Sequence, residues 1–398
     1  METTRDRKVY LDYIAGAPVL PEVIEAMLPY FREIYGNPQS IHDWGEQSRE
    51  ALDTAREQVS SLINGNADEI IFTGSGTESN NLAIKGLAQG QVAKGKHIVV
   101  SAIEHFSVLN TLRRMEKDGY EFSLVAVDKY GLINPDDVLN KIRKDTALVS
   151  VMHSNGEVGT IQPILEIAQK VKEAGVFFHT DAIASTGNIP VDVQELKVDA
   201  LSLAGNQFYG PKGSGALWLR KGVRLIPQMD GGIQEDGRRP GTEDVPAFVG
   251  LGKAAEIAKR DMASRAARFS KLRDRLIRGM MEKIDHVVLT GHPSRRLPHH
   301  SSFCVEFIEG EAMLLFMNLD GIAVSSGSAC TSKALKASHV LLAMGLPPEI
   351  AQGSLLLTLG LETQEEDIDY LLEKFPPIVD RLRQMSPLYA KFIKEGKS

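Results

Sequence analysis

Val198-Asp-Ala-Leu-Ser-Leu-Ala-Gly-Asn-Gln-Phe-Tyr-Gly-Pro-Lys-Gly-Ser-Gly-Ala-Leu-Trp-Leu219 reads as two buried strands around a polar loop. The apolar run 200–204 is short and unbroken, as in a strand covered on both faces. Gly205 ends it, and Gly-Pro-Lys-Gly turns the chain into a second apolar run at 216–219. The chemistry of the protein turns on what the intervening loop, Ala204-Gly205-Asn206-Gln207, can do.

Outward from this stretch the chain alternates. Strand-like runs at 70–73, 97–101, 122–127, 147–152 and 176–179 are separated by helical patterns at 23–31, 47–62, 79–93, 107–118, 135–143 and 164–174. Such alternation predicts an α/β fold with a mostly parallel, helix-covered sheet. A charged, Ala- and Arg-rich helix at 255–283 leads into a second unit, in which runs at 301–307 and 355–359 and helices at 311–319 and 365–385 predict a smaller α+β domain. The 398 residues are 43% hydrophobic and 24% charged, with a formal net charge of -7, a composition that argues against nucleic acid as the main partner. No apolar run reaches the roughly 18 residues of a membrane span, and residues 1–8 are charged rather than signal-like. Two cysteines, Cys304 and Cys330, make no disulfide framework, so the expected compartment is the reducing cytoplasm.

Several stations carry groups suited to chemistry. Phe72-Thr-Gly-Ser-Gly-Thr-Glu-Ser-Asn-Asn81 places Gly76 and Thr77 between a strand and a helix, where free N–H groups can cradle an anion or simply start a capped helix. His105 ends the Ser101-Ala-Ile-Glu-His105 strand, Asn155 precedes Gly156 in a turn-like stretch, and Asp181 follows the strand ending Phe178-His-Thr-Asp181. Thr242 closes the loop Gly231-Gly-Ile-Gln-Glu-Asp-Gly-Arg-Arg-Pro-Gly-Thr242. Val324-Ser-Ser-Gly-Ser-Ala-Cys-Thr-Ser332 surrounds Cys330 with small residues that suit a mobile thiol, whereas Cys304 lies in an apolar run and reads as an inert core residue.

These motifs, over nearly the whole length, resemble the cysteine desulfurases of the NifS/IscS type, class V of the pyridoxal-phosphate aminotransferase fold. The resemblance implies fold type I, with a large cofactor-type domain at 16–261 and a small domain from 1–15 and 262–398. It also implies a homodimer. It assigns Gly76, Thr77 and Thr242 to the cofactor phosphate, His105 to the ring face and proton movement, Asn155 to the phenolic oxygen and Asp181 to the ring nitrogen. Cys330 becomes the persulfide nucleophile, and Leu382-Arg-Gln-Met-Ser-Pro-Leu-Tyr389 the segment that docks an IscU-type scaffold.

The departures cluster. Gln207 stands where the family has the lysine that forms the Schiff base, and an amide nitrogen cannot form an imine. Asn206, Ala204, Ala184 and Gly76 replace His, Ser, Gln and Ala, and Pro240 a Ser. Leu356 stands where an arginine clamps the substrate carboxylate, which an alkyl chain cannot do. Ala15-Gly16-Ala17 replaces Ala-Thr-Thr. Three readings follow. In the first, a desulfurase-like protein of iron–sulfur assembly or sulfur transfer lacks Schiff-base chemistry, and Cys330 accepts a persulfide or ligates an iron–sulfur cluster shared with its partner. In the second, an enzyme acting on cysteine or a related amino acid holds pyridoxal phosphate without a covalent bond. In the third, the chain is a non-catalytic interaction protein.

Overall fold

The computed structural model describes residues 7–327 and 337–395. After a short strand β1 (Val9–Tyr10) come β2 (Ile70–Thr73), β3 (His97–Ser101), β4 (Glu121–Val125), β5 (Thr146–Ser150), β6 (Phe177–Asp181), β7 (Ala200–Ala204) and β8 (Gly215–Leu219). These last seven form one sheet in the order β2-β8-β7-β6-β5-β3-β4. Strand β8 is antiparallel to both neighbours, and the remaining pairs are parallel. Six strands therefore end at the same edge of the sheet, the edge at which open α/β sheets bind ligands. Helices on both faces bury β7 completely, which is why its five residues are apolar or small without alternation.

A second, antiparallel sheet is built from β9 (Val287–Leu289), β10 (His300–Val305) and, later in the chain, β12 (Ser354–Thr358), in the order β12-β10-β9. Between them β11 (Ile322–Ala323) pairs in parallel with β1, so the first described residues lie beside a strand more than three hundred positions away. One helix, Val245–Lys283, serves two cores. Its first half, through Ala258, packs with the large sheet and the helix Asp43–Leu62. Its second half, from Phe269, packs with β10, β12 and the helix Glu365–Met385.

Several boundaries differ from the sequence reading. The expected helix at 23–31 is two helices, Pro21–Met27 and Pro29–Arg32, meeting at Leu28, because Pro29 lacks the N–H to continue the first. The long helix starts at Val245 rather than 255: Asp244 accepts from the Ala247 N–H at 3.1 Å, and Pro246 occupies the first turn. The tail continues past Ser386 as the helix Pro387–Glu395.

Strand β2 is a sheet edge, and its exposed side is closed by side chains. Glu235 accepts from the Phe72 N–H at 2.8 Å and takes both guanidinium nitrogens of Arg56 at 2.8 Å each. Arg56 also donates to the Ile70 carbonyl at 2.8 Å and lies 4.6 Å above the Phe72 ring, which stacks on Phe248 at 4.5 Å. Glu235 and Asp236 hold left-handed backbone conformations, φ 49° and 56°, so this pair also sets the path of the loop that ends at Thr242. Replacing Arg56 by Ala leaves the Glu235 carboxylate buried without its cation. Urea unfolding should register a loss of about 3 kcal/mol, and a loss below about 1 kcal/mol would reduce the pair to an ordinary surface contact.

Candidate functional site

The residues singled out by sequence follow the carboxyl ends of successive parallel strands: Gly76 and Thr77 after β2, His105 after β3, Asn155 after β5, Asp181 at the end of β6 and Gln207 after β7. Asp181 is buried. Asn80 donates to its Oδ2 at 2.6 Å, and the Ile183 N–H donates to Oδ1 at 3.0 Å. Burial pushes the Asp181 carboxyl up, and these two hydrogen bonds, with the charge of His105, pull it back. The second hydrogen of the Asn80 amide goes to Ser107 Oγ at 2.9 Å, and Ser107 Oγ lies 2.7 Å from His105 Nδ1. The Ser107 N–H also donates to that Nδ1 at 3.1 Å. Nδ1 is thus an acceptor, so the neutral ring carries its proton on Nε2, and the ring itself is exposed. Asp181 and His105 are joined through Asn80 and Ser107, neither of which the sequence reading named. Asn80 could have been noticed as a polar residue, beside Ser79, on the mostly apolar inner face of the helix Gly76–Gly90.

The helix that carries Asn80 begins at this edge with a side-chain cap. Ser75 Oγ accepts from Glu78 N at 3.1 Å, and the Glu78 carboxylate accepts from Gly74 N and Arg239 Nε, each at 2.8 Å. Thr77 is exposed, and Gly76 is buried. A Cβ on Gly76 would lie 2.3 Å from Ile183 Cδ1 and 3.3 Å from Ala204 Cβ, so the side chain that follows Asp181 fills the space an alanine would take. Thr242 is exposed in its loop and hydrogen-bonds none of the other described candidates.

Asn155 is committed to its turn. Its Nδ2 donates to the Ile103 carbonyl at 2.9 Å, and its Oδ1 accepts from the N–H groups of Glu157 and Val158 at 2.8 and 2.9 Å. That turn closes at Gly159, where φ is +79° and a Cβ would lie 2.6 Å from His300 Nδ1.

Gln207 lies in the turn Gly205–Phe208. Its side-chain Nε2 donates to the Ile14 carbonyl at 2.9 Å, and its own carbonyl accepts from Asn188 at 3.3 Å. The next residue but one, Tyr209, has a left-handed backbone with φ 69°, held by the Leu361 N–H on its hydroxyl at 3.0 Å and by Arg265 over its ring at 5.5 Å. Leu356 is buried in β12, opposite Ser302, while its neighbours Leu355 and Leu357 point into the smaller core.

Cys330 lies outside the described residues. Cys304 is wholly buried, and burial, with Glu157 and Glu306 nearby, pushes its thiol up to about 12. Among the described residues no group of three or more His, Cys, Asp or Glu side chains is placed to hold a metal ion. No described helix is long and apolar enough to cross a membrane.

A family model described as Aminotransferase class-V matches residues 9–371. The chain is 49% identical over 389 residues to Cysteine desulfurase IscS of Methanosarcina thermophila, covering 98% of this chain and 96% of that one. It is 50% identical over 382 residues to Cysteine desulfurase IscS 1 of Archaeoglobus fulgidus, covering 96% of this chain and all of the other. Among solved structures it is similar to a NifS-like protein, with a TM-score of 0.89 at 35% identity over 94% of this chain and 100% of that one.

Glu104, beside His105, is wholly buried: Ser101 Oγ and Met152 N both donate to Oε1, at 2.6 and 2.8 Å, and Oε2 makes no hydrogen bond. Burial raises its carboxyl from 4.5 to about 8. The folded protein therefore keeps this proton while the unfolded chain loses it, and stability drains away as pH climbs between those values. Glu104→Gln should abolish that component, worth up to about 1.4 kcal/mol per pH unit. Urea midpoints of the two proteins at pH 5 and pH 8 test it: equal pH slopes would show that Glu104 ionises normally.

Proposed function

The chain belongs to the class-V aminotransferase family, and we propose that it serves sulfur mobilisation for iron–sulfur cluster assembly as a desulfurase-like protein without a lysine-linked cofactor. The observation that carries this reading is the Gln207 side chain, tied to the Ile14 carbonyl at 2.9 Å at the carboxyl end of β7. An amide there is both unreactive toward a carbonyl and already engaged. Buried Leu356 supports the same reading, since an aliphatic residue cannot orient a substrate carboxylate.

In this proposal Cys330 is the working group. Its thiolate attacks the outer sulfur of a persulfide carried by a donor. The new S–S bond forms as the old one breaks and the donor leaves as a thiolate, so no outside oxidant is needed. The same thiolate can complete an iron–sulfur cluster whose other ligands come from an IscU-type scaffold docked at residues 382–389. The homodimer is carried over from the family resemblance.

A second reading is favoured by Asp181. Its buried carboxylate has two hydrogen-bond donors and, among the described residues, no cation bonded to it, which suits a protonated pyridine nitrogen. Pyridoxal phosphate fits this half of the site without a covalent link. Gly76, Thr77 and Thr242 would hold its phosphate, His105 its ring face and Asp181 its ring nitrogen, and Asn155 would reach its phenolic oxygen on giving up the 3.3 Å contact from its Nδ2 to Met152 Sδ. When bound, it supplies an electron sink. Asn80 and the Ile183 N–H favour the ionised form of Asp181 against its burial, and the Ser107 N–H holds His105 in its Nε2–H form.

Two measurements test the proposal, the first against any lysine-linked cofactor and the second for the role of Cys330. Borohydride reduction followed by peptide mass spectrometry should find no cofactor-modified lysine, and such an adduct would sink the proposal. Incubation with a persulfide donor should label the wild type and Cys304→Ser alike, while Cys330→Ser falls to background. With its thiol near 12, Cys304 is ionised at pH 8 in only about one molecule in ten thousand. Equal labelling of the two variants would remove Cys330 from the mechanism.

A further inference from the structure

Beside the Gln207 loop lies an open, solvent-facing pocket of about 440 Å³ that none of the readings above uses. Its lining includes Tyr10, Tyr13, Gly16, Pro18, Lys212 and Glu362. The connection to the loop is direct: the Ile14 carbonyl that receives the Gln207 amide lies two residues before Gly16. The volume falls within the roughly 300–1,000 Å³ typical of small-molecule sites.

The lining carries both signs of charge on two exposed residues, Lys212 and Glu362. Neither the Lys212 ammonium nor the Glu362 carboxylate forms a hydrogen bond or ion pair with any described residue. The Tyr10 hydroxyl can donate to the Gly16 carbonyl at 2.8 Å or the Asp12 carbonyl at 2.9 Å, which leaves its oxygen free to accept. Tyr10 and Tyr13 meet edge to face, with ring centroids 5.0 Å apart, and with Pro18 they supply an apolar wall.

Gly16 keeps the space open. A Cβ there would lie 3.7 Å from Lys212 Cε, 3.9 Å from the Tyr10 hydroxyl oxygen and 4.0 Å from Lys212 Nζ. The residue thus stands between the ammonium and the phenol, and a methyl group would already touch both. Any larger side chain would project into the gap.

We infer that this cavity binds a free zwitterionic amino acid, its carboxylate on Lys212, its ammonium on Glu362 and an apolar side chain on the Tyr10–Pro18 wall. A simple anion would engage Lys212 alone, and a simple cation Glu362 alone. A ligand carrying both charges satisfies the pair and can donate its ammonium to the Tyr10 oxygen as well. The site goes beyond the sulfur-transfer reading and does not depend on Cys330. It gives the chain a cation for a carboxylate on a wall adjoining Gln207, separate from the strand that carries Leu356.

The test is titration calorimetry on the full-length protein with L-leucine, N-acetyl-L-leucine and L-leucinamide, which carry both charges, only the carboxylate, and only the ammonium. L-leucine should bind, and each blocked analogue should bind at least about tenfold more weakly, the loss of one charge-assisted contact. Lys212→Met should weaken L-leucine by a similar factor and cease to distinguish it from L-leucinamide. Glu362→Gln should likewise cease to distinguish it from N-acetyl-L-leucine. Gly16→Val should abolish binding while leaving the thermal midpoint of the protein in place. No heat from L-leucine at millimolar concentration, or unchanged affinity in Lys212→Met or Gly16→Val, overturns the inference. N-acetyl-L-leucine binding as tightly as L-leucine overturns it too, and marks a site for the carboxyl end of a peptide instead. Persulfide labelling of Cys330 reads the sulfur-transfer proposal separately, so either can fail alone.

Discussion

The carboxylate of Asp181 is the constraint around which the rest of the site is arranged. A buried carboxylate is costly unless hydrogen-bonded or paired, and here the 2.6 Å bond from Asn80 and the 3.0 Å bond from the Ile183 N–H meet that need. The first of these fixes the helix Gly76–Gly90 against the end of β6. The Asn80 amide, once anchored, passes its second hydrogen to Ser107 and so sets the tautomer of His105 on the neighbouring loop. Three segments from different strand ends are thereby held in one arrangement by a single side chain.

The replacements around this arrangement are compensated individually. Ile183 takes the volume that Gly76 gives up. The Gln207 amide finds a backbone acceptor at Ile14, so the loop after β7 keeps a defined path without a lysine. Tyr209 maintains its left-handed backbone because its hydroxyl and ring are both engaged across the chain. The packing around the site is thus complete with the residues present. This is what is expected when packing and backbone hydrogen bonds, rather than the reactive side chains, carry stability.

The two cores are coupled through the continuous helix Val245–Lys283 and through β1, which pairs with β11 just before the segment that leads to Cys330. Ser325, two residues beyond β11, bonds Asp12 Oδ1 at 2.7 Å and exchanges backbone hydrogen bonds with Leu356. The residues preceding that thiol are tied to the same N-terminal stretch, residues 10–18, that receives the Gln207 amide and lines the amino-acid cavity.

The sequence alone determined the α/β class, the strand positions and the places where chemistry could reside, because buried parallel strands leave short apolar runs and their ends leave Gly, His, Asp and Asn at recognisable spacings. Long periodic elements such as 365–385 were legible to the residue, since a helix three turns or more in length writes its pattern many times. Boundaries at 28 and 245 were not, because a proline and a capping aspartate outweigh periodicity locally. What only the tertiary structure decided was partnership. That Asn80 would join Asp181 to His105, that Glu235 would close the edge of β2 through Arg56, and that Lys212 and Glu362 would share a cavity depend on segments up to 179 positions apart for Arg56–Glu235 and 101 for Asn80–Asp181. Hydrogen bonds and ion pairs form between whatever side chains the packed backbone brings within about 3 Å, and that proximity is written in no local stretch of the chain.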